Sequence, residues 1–151
     1  MSNLVDFQEK RDRKVESKRR QFERVMFDHM MGCYTVLEQK DAILPISLVD
    51  ISHNGCLFQV HETDKKKRAY KIGQEISLRF YFTKNSYLPI SVKIRYGNDY
   101  TDTKGTHFVH YGAEFDKSTK SFAALKVFIN FIYEFAEHSC LDKGDNRVHF
   151  I

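Results

Sequence analysis

Hydrophobic and polar residues alternate along most of the middle of the chain. From residue 74 to 82 and again from 88 to 96, large apolar side chains occupy every second position, which is typical of strands that bury one face. The same reading predicts six strands, at residues 29–37, 43–51, 56–61, 74–82, 88–96 and 106–115. Because no helix separates these strands, an all-β antiparallel barrel or sandwich is expected.

Turn chemistry marks two of the connections. In His53-Asn54-Gly55 both Asn and Gly accept a positive φ, so a hairpin turn is expected there. A stretch rich in Gly, Asn, Asp and Thr after Tyr96 predicts a second turn, and the cationic run at residues 64–68 predicts an exposed loop tip.

One helix is predicted after the strands, over residues 120–140, where apolar residues recur with helical spacing. Its apolar surface is wide, and only a stripe through Lys126, Asn130, Glu134 and Glu137 is polar. One side can cover the barrel, whereas the remainder needs another partner unless it too is buried in the core. A protein partner or a homodimer through helix 120–140 is therefore expected.

The N-terminal residues differ from the rest of the chain. Residues 1–18 carry few apolar side chains and predict either a polar helical arm or a disordered leader. The expected division is a polar arm at 1–18, a barrel domain with its C-terminal helix at 19–140, and a short tail at 141–151. The fold class is thus all-β with a C-terminal helix and a polar N-terminal arm.

The positive charge is concentrated at the start of the chain. The net charge is +4, and residues 1–24 hold eight Lys or Arg against five Asp or Glu, which leaves +1 for everything after them. This distribution suggests an anionic ligand or partner near the N-terminus. The three cysteines are far apart, so neither a disulfide framework nor a structural zinc site is supported. With no apolar run of membrane-spanning length, a cytoplasmic protein is expected.

Two short motifs carry the candidate chemistry. Arg20-Gln21-Phe22-Glu23-Arg24 places two arginines four residues apart, preceded by Arg19. Arginine offers a planar fork that grips phosphate oxygens and a flat face that stacks on rings, so a ligand with both phosphates and purines would suit it. Asp50-Ile51-Ser52-His53-Asn54-Gly55 ends the second predicted strand and, taken alone, is only a good hairpin.

Together the two motifs resemble both signatures of the PilZ domain family, and Gly112-Ala113-Glu114-Phe115 resembles an element of its last strand. The resemblance covers about residues 19–140. It implies a six-stranded antiparallel split β-barrel with a C-terminal helix. It also implies binding of cyclic di-GMP, a bacterial second messenger, with no cofactor and no catalysis.

The resemblance further implies roles for individual residues. Arg20 and Arg24, on a flexible segment, would contact phosphates and guanines, and Asp50 would accept hydrogen bonds from a guanine edge. Ser52 would add a hydroxyl contact, and Gly55 would allow close backbone approach or a positive φ. Arg19 points to two stacked ligands per site, although a solvated surface cation is an equal alternative.

Other functions are weaker on the sequence. A nucleic-acid-binding barrel would need more positive charge than the +1 that follows residue 24. A PilZ scaffold that binds only protein is opposed by the intact motif residues. Ser52, His53 and Asp50 are strand neighbours that point apart, so a hydrolytic triad is not expected. Signalling to a partner is expected to occur through ordering of the N-terminal arginine segment when the ligand binds.

Overall fold

The computed structural model describes residues 2–26, 32–37, 42–61, 69–140 and 144. A long helix, α1 (Ser2–Val25), precedes the strands, and a second helix, α2 (Lys120–His138), follows them. The strands are β1 (Gly32–Leu37), β2 (Ala42–Ile51), β3 (Gly55–His61), β4 (Glu75–Tyr81), β5 (Tyr87–Thr101) and β6 (His107–Phe115). The expectation of a mostly β fold with a C-terminal helix is confirmed.

The strands form one antiparallel sheet that curls until its edges meet. Neighbours follow the order β1-β2-β3-β6-β5-β4, and β4 pairs with β1 to close a barrel. Alternate residues of β3 and β4 point inward, as the period-two pattern predicted. The fully buried interior includes Phe58, Leu78, Phe80, Ile90 and Val109.

Two β-bulges interrupt this alternation. In β2 the pairing with β3 shifts between Leu48 and Asp50, and in β5 the pairing with β6 shifts between Ile94 and Tyr96. Each shift inserts one extra residue, so the side chains beyond it change faces. The sequence pattern placed Tyr96 on the same face as the buried Ile94, and this is wrong, because Tyr96 is 47% exposed.

The bounds of β5 also differ from expectation. The strand continues through the Gly/Asn/Asp/Thr-rich stretch and pairs with β6 as far as Thr101 opposite His107. The turn is therefore at residues 102–105, where Asp102 Oδ1 accepts hydrogen bonds from the backbone N–H of Lys104 and Thr106. Cross-strand pairing overrode the local turn preference, as often happens within a sheet.

Helix α2 covers the barrel with one face and meets α1 with another. Five of its residues at helical spacing are buried: Phe122, Leu125, Ile129, Ile132 and Ala136. On the neighbouring face, Phe22 of α1 stacks on Phe135 at a centroid distance of 4.5 Å and meets the edge of Phe131 at 5.9 Å. Arg11 also pairs with Glu137 across the two helices. Part of the wide apolar surface of α2 is thus covered by the chain itself.

Residues 2–18 are helical, one of the two alternatives expected for them, whereas the arginine segment after them differs from expectation. Helix α1 runs without a break across residues 18 and 19, and the arginines expected on a flexible segment lie on its last two turns. The start of the first predicted strand, the cationic loop at 64–68 and all of the tail except residue 144 lie outside the described residues. In the described part of the chain, no helix combines the length and apolarity needed to cross a bilayer.

The packing of α2 against the barrel can be tested with two truncations on one helix. Leu125 is 0% exposed whereas Val127 is 69% exposed. Leu125→Ala should lower the free energy of unfolding by about 2–5 kcal/mol, because it removes apolar contacts and leaves a cavity. Val127→Ala should change it by about 0.5 kcal/mol or less. Urea denaturation followed by circular dichroism measures both, and equal effects would contradict this placement of α2.

Candidate functional site

A cleft of about 510 Å³ opens at one end of the barrel, between the β2–β3 turn and the paired strands β5 and β6. The cleft combines two acidic residues, an aromatic ring and two cations from separate elements. Its lining includes Asp50, Ser52, Asn54, Gly55, Arg95, Tyr96, Gly112, Glu114 and Lys117. Three residues singled out in the second motif therefore lie at one concave surface.

The two β-bulges border this cleft. Asp50 follows the bulge of β2 and Tyr96 follows the bulge of β5. The ring of Tyr96 lies over Gly112, where a Cβ atom would overlap it, and much of the side chain remains exposed. Bulges are frequent beside binding sites because they re-aim side chains. Here they bring a carboxylate and an aromatic ring to the same cleft.

The turn between β2 and β3 is braced from within. The Ser52 backbone N–H donates to the Gly55 carbonyl at 2.8 Å, and the Ser52 hydroxyl lies 3.2 Å from the same oxygen. Lys117 Nζ donates to Asn54 Oδ1 at 2.6 Å and ties the turn to the segment before α2. The turn is therefore held in shape by its own motif residues.

Gly55 is required for a reason other than a positive φ. The described glycines with positive φ are at positions 73, 105 and 144, so that part of the expectation for Gly55 is wrong. A Cβ at Gly55 would instead overlap the carbonyl oxygen of Ala113 on β6. The close approach of two backbones, the other expected reason, explains this glycine.

Arg19 lies at the centre of a buried charge cluster beside the cleft. Its Nη1 donates to Glu23 Oε1 at 2.5 Å, to Asp50 Oδ1 at 3.1 Å and to the Ile51 carbonyl at 2.9 Å. Its Nε and Nη2 donate to the two carboxylate oxygens of Glu16. The side chain is buried, so the alternative of a solvated surface cation does not describe it.

The cluster shifts the protonation equilibria of its members. The hydrogen bond from Arg19 lowers the pKa of Glu16, and the same bond raises the pKa of Arg19 further above its usual value. Glu23 is only 1% exposed, and this burial raises its pKa to about 8. Arg19 opposes that rise and Asp50 adds to it, but the loss of solvation is the largest effect.

Arg20 and Arg24 lie on a different side of α1. They line a groove of about 410 Å³ together with Arg13, Glu16, Ser17 and Gln21. Arg20 is 65% exposed and lies 3.5 Å from Glu16. The structure therefore brings Arg19 to Asp50 but does not bring Arg20 or Arg24 to the cleft.

Comparison with known proteins agrees with this architecture. A profile of the PilZ domain matches residues 18–132, which is most of the chain. The chain belongs to the PilZ domain family. No curated protein matches it significantly.

Solved PilZ structures share the fold at low sequence identity. The PilZ domain of YcgR from Escherichia coli with c-di-GMP has a TM-score of 0.53 at 16% identity, over 72% of this chain and 86% of that one. The K. pneumonia MrkH–c-di-GMP complex has a TM-score of 0.53 at 14% identity, over 71% of this chain and 48% of MrkH. MrkH in its apo state has the same score at 13% identity. This chain spans about half the length of MrkH.

The PilZ motif residues take unequal parts in the cleft. Asp50, Ser52 and Gly55 line it, Arg19 reaches it through Asp50, and Arg20 and Arg24 remain apart. His53 turns away from Ser52, stacks on Tyr133 of α2 at 4.4 Å and lies 2.9 Å from Asn130 Oδ1. This orientation leaves no Ser–His pair for hydrolysis.

Three lining residues were missed by sequence reasoning: Arg95, Tyr96 and Lys117. Tyr96 was placed in the core because its bulge has no sequence signature. Lys117 lies outside every motif and strand read from the sequence, and it donates a hydrogen bond to Asn54 at the cleft. Arg95 is the extra residue of the bulge and pairs with Glu114. Within the described residues, no cluster of three or more His, Cys, Asp or Glu is placed to hold a metal ion.

Two glycine substitutions test the construction of the cleft. Gly55→Ala should lower stability by more than about 1 kcal/mol, because the new methyl group meets backbone that cannot move aside. Gly112→Ala meets only the far end of the Tyr96 side chain, so it should displace that ring at a smaller cost. Urea denaturation and the fluorescence of Tyr96, isolated by comparison with Tyr96→Phe, measure the two effects. The opposite order of stability losses would contradict this geometry.

Proposed function

We propose that this PilZ protein is a receptor for cyclic di-GMP and that the ligand binds in the cleft beside Asp50. The observation that carries the proposal is the convergence of Asp50 and Tyr96 on one concave surface through two β-bulges. A carboxylate can accept both donors of a guanine edge, and an aromatic ring can stack on the base. YcgR and MrkH, which share the fold, have been solved with c-di-GMP.

Phosphate recognition is assigned to the arginines of α1. Arg95 and Lys117 already supply positive charge at the cleft, but Arg20 and Arg24 offer the bidentate geometry that phosphates favour. Because these two line a separate groove, the last turns of α1 must move for them to reach a ligand beside Asp50. The site residues of the receptor are thus Arg19, Arg20, Arg24, Asp50, Ser52 and Gly55, joined by Tyr96.

This movement provides the signal. Phe22 lies between Arg20 and Arg24 and packs on Phe131 and Phe135 of α2. Moving the arginines to the cleft would withdraw Phe22 and uncover apolar surface on α2. The ligand would then act by re-docking the arginine segment and changing the face that α2 offers to a partner.

A scaffold that binds protein without a ligand is the second candidate. It is favoured by the ion pair between Arg19 and Asp50, since each of these residues already satisfies the other. The two functions differ in whether cyclic di-GMP binds at all.

Calorimetry with cyclic di-GMP tests the receptor. We expect micromolar or tighter binding, and Arg24→Ala should weaken it about tenfold or more because charge-assisted contacts of about 1.5–3 kcal/mol are lost. Lys14→Ala is the control, since Lys14 is an exposed cation on the same helix outside both the motif and the groove that Arg24 lines. Equal affinities of the two variants would remove Arg24 from the site. Absence of binding by the wild type would favour the scaffold.

The outer face of α2 should pair with a second copy of the chain. Phe131 is 55% exposed and lies on the same side as Val127 and Phe135, which are also exposed. Phe131→Ser should shift the mass measured by light scattering towards the monomer, because it removes apolar contact area. Lys126→Ser, a change at an exposed polar position of α2, should leave the mass unchanged. A monomeric wild type at high concentration, with and without ligand, would contradict pairing through α2.

A further inference from the structure

Even with Arg20 lying 3.5 Å from Glu16, the carboxyl groups outnumber the cations in the charge cluster around Arg19. Three carboxyl groups contact it: Glu16 and Glu23 from α1 and Asp50 from β2. Glu23 and Asp50 share a single nitrogen, Nη1. Glu16 and Asp50 are partly exposed to solvent, whereas Glu23 has almost no exposure. A proton on Glu23 relieves this excess, since a neutral acid can accept from Arg19 and donate to Asp50.

The same cluster occupies two residues of the proposed ligand site, Arg19 and Asp50. Arg19 uses all three of its guanidinium nitrogens on protein oxygens. Asp50 is engaged by Arg19 on the edge that faces α1. The guanidinium also lies over the ring of Tyr133, 5.2 Å from its centroid. A ligand that recruits Arg19 removes the cation shared by Glu23 and Asp50. The movement of α1 that the proposed site requires of Arg20 and Arg24 would then carry Glu23 out of the interior.

Resting on the proposed function, we propose that the Arg19–Glu23–Asp50 cluster is a proton-coupled lock on the ligand site. Helix α1 docks with Glu23 protonated. Binding of cyclic di-GMP pulls Arg19 away and moves α1, which exposes Glu23 to water as a carboxylate and releases its proton to solvent. Glu23 therefore links ligand affinity to pH without touching the ligand.

The direction of the pH dependence follows from the raised pKa of Glu23 in the docked form. The docked form is favoured most below the ordinary glutamate value of 4.5 and loses this advantage as the pH rises towards about 8. Opening therefore becomes easier over that window, and ligand affinity should rise with pH. The limit for one coupled proton is about tenfold per pH unit.

The groups that act on Glu23 come from every element packed around it: Arg19 on α1, Asp50 on β2 and Tyr133 on α2. Glu16 joins them through its ion pair with Arg19. His53 stacks on Tyr133 and is a further ionisable group beside the cluster. Any contribution of His53 to the pH dependence of ligand affinity would remain in the Glu23→Gln variant. The contributions of His53 and Glu23 can therefore be separated.

The decisive variant is Glu23→Gln, which mimics the protonated acid in shape and hydrogen bonding. Calorimetry with cyclic di-GMP in buffers of different ionisation enthalpy gives the number of protons released. For the wild type we expect close to one proton per binding event near pH 7, with Kd falling up to about tenfold per unit from pH 6 to 8. In Glu23→Gln both effects should disappear, with affinity approaching that of the wild type only below the ordinary glutamate value of 4.5, weaker than wild type at pH 6 and weaker still at pH 8.

The matched control is Glu9→Gln, which removes the same charge from an exposed position of α1 and should behave like the wild type. An independent readout needs no ligand: the side-chain carboxyl carbon of Glu23, followed by NMR, should titrate near pH 8. Titration of every glutamate in the ordinary range would overturn the lock, as would undiminished proton release by Glu23→Gln. Binding without proton release would overturn the lock alone, whereas no binding at any pH would overturn the receptor as well.

Discussion

The ion pair between Arg19 and Asp50 is the contact on which the arrangement of this site depends. It joins the last turns of α1 to the end of β2, and it is supported by Glu16 and Glu23. Removing Arg19 would leave Glu23, which is 1% exposed, without its ion-pair partner, and a buried acid without a partner is destabilising. With Arg19 turned inward, helical geometry directs Arg20 away from the barrel. Because Arg19 points to Asp50, Arg20 and Arg24 lie in a separate groove and do not line the cleft.

The cleft itself depends on irregularities in the sheet. A regular barrel would continue to send alternate residues inward, and Tyr96 would point into the core after Ile94. The bulges in β2 and β5 change the side on which the following residues emerge. They cost a ladder hydrogen bond each, but they place an acid and an aromatic ring at one opening. Gly112 then accommodates the Tyr96 ring against the backbone.

Helix α2 touches both motif segments. Tyr133 carries the Arg19 guanidinium over its ring and stacks on His53 from the β2–β3 turn, while Phe131 and Phe135 contact α1. A change in the position of either motif segment would therefore alter contacts made by α2. Coupling between sites requires contiguous contacts with more than one stable arrangement. The contacts of Tyr133, Phe131 and Phe135 connect the two motif segments in the arrangement that the structure shows.

The sequence by itself determined the mostly β fold, the C-terminal helix and the two motifs, because period-two alternation, helical spacing and short-range motif chemistry are local properties. It also indicated that α2 has more apolar surface than a barrel can cover. Only the tertiary structure decided where Arg19 and Tyr96 point. The bulges are set by pairing with β3 and β6, and the burial of Arg19 and Glu23 is set by the docking of α1 on α2 and β2. Such features depend on contacts between residues far apart in the chain, which no local pattern records.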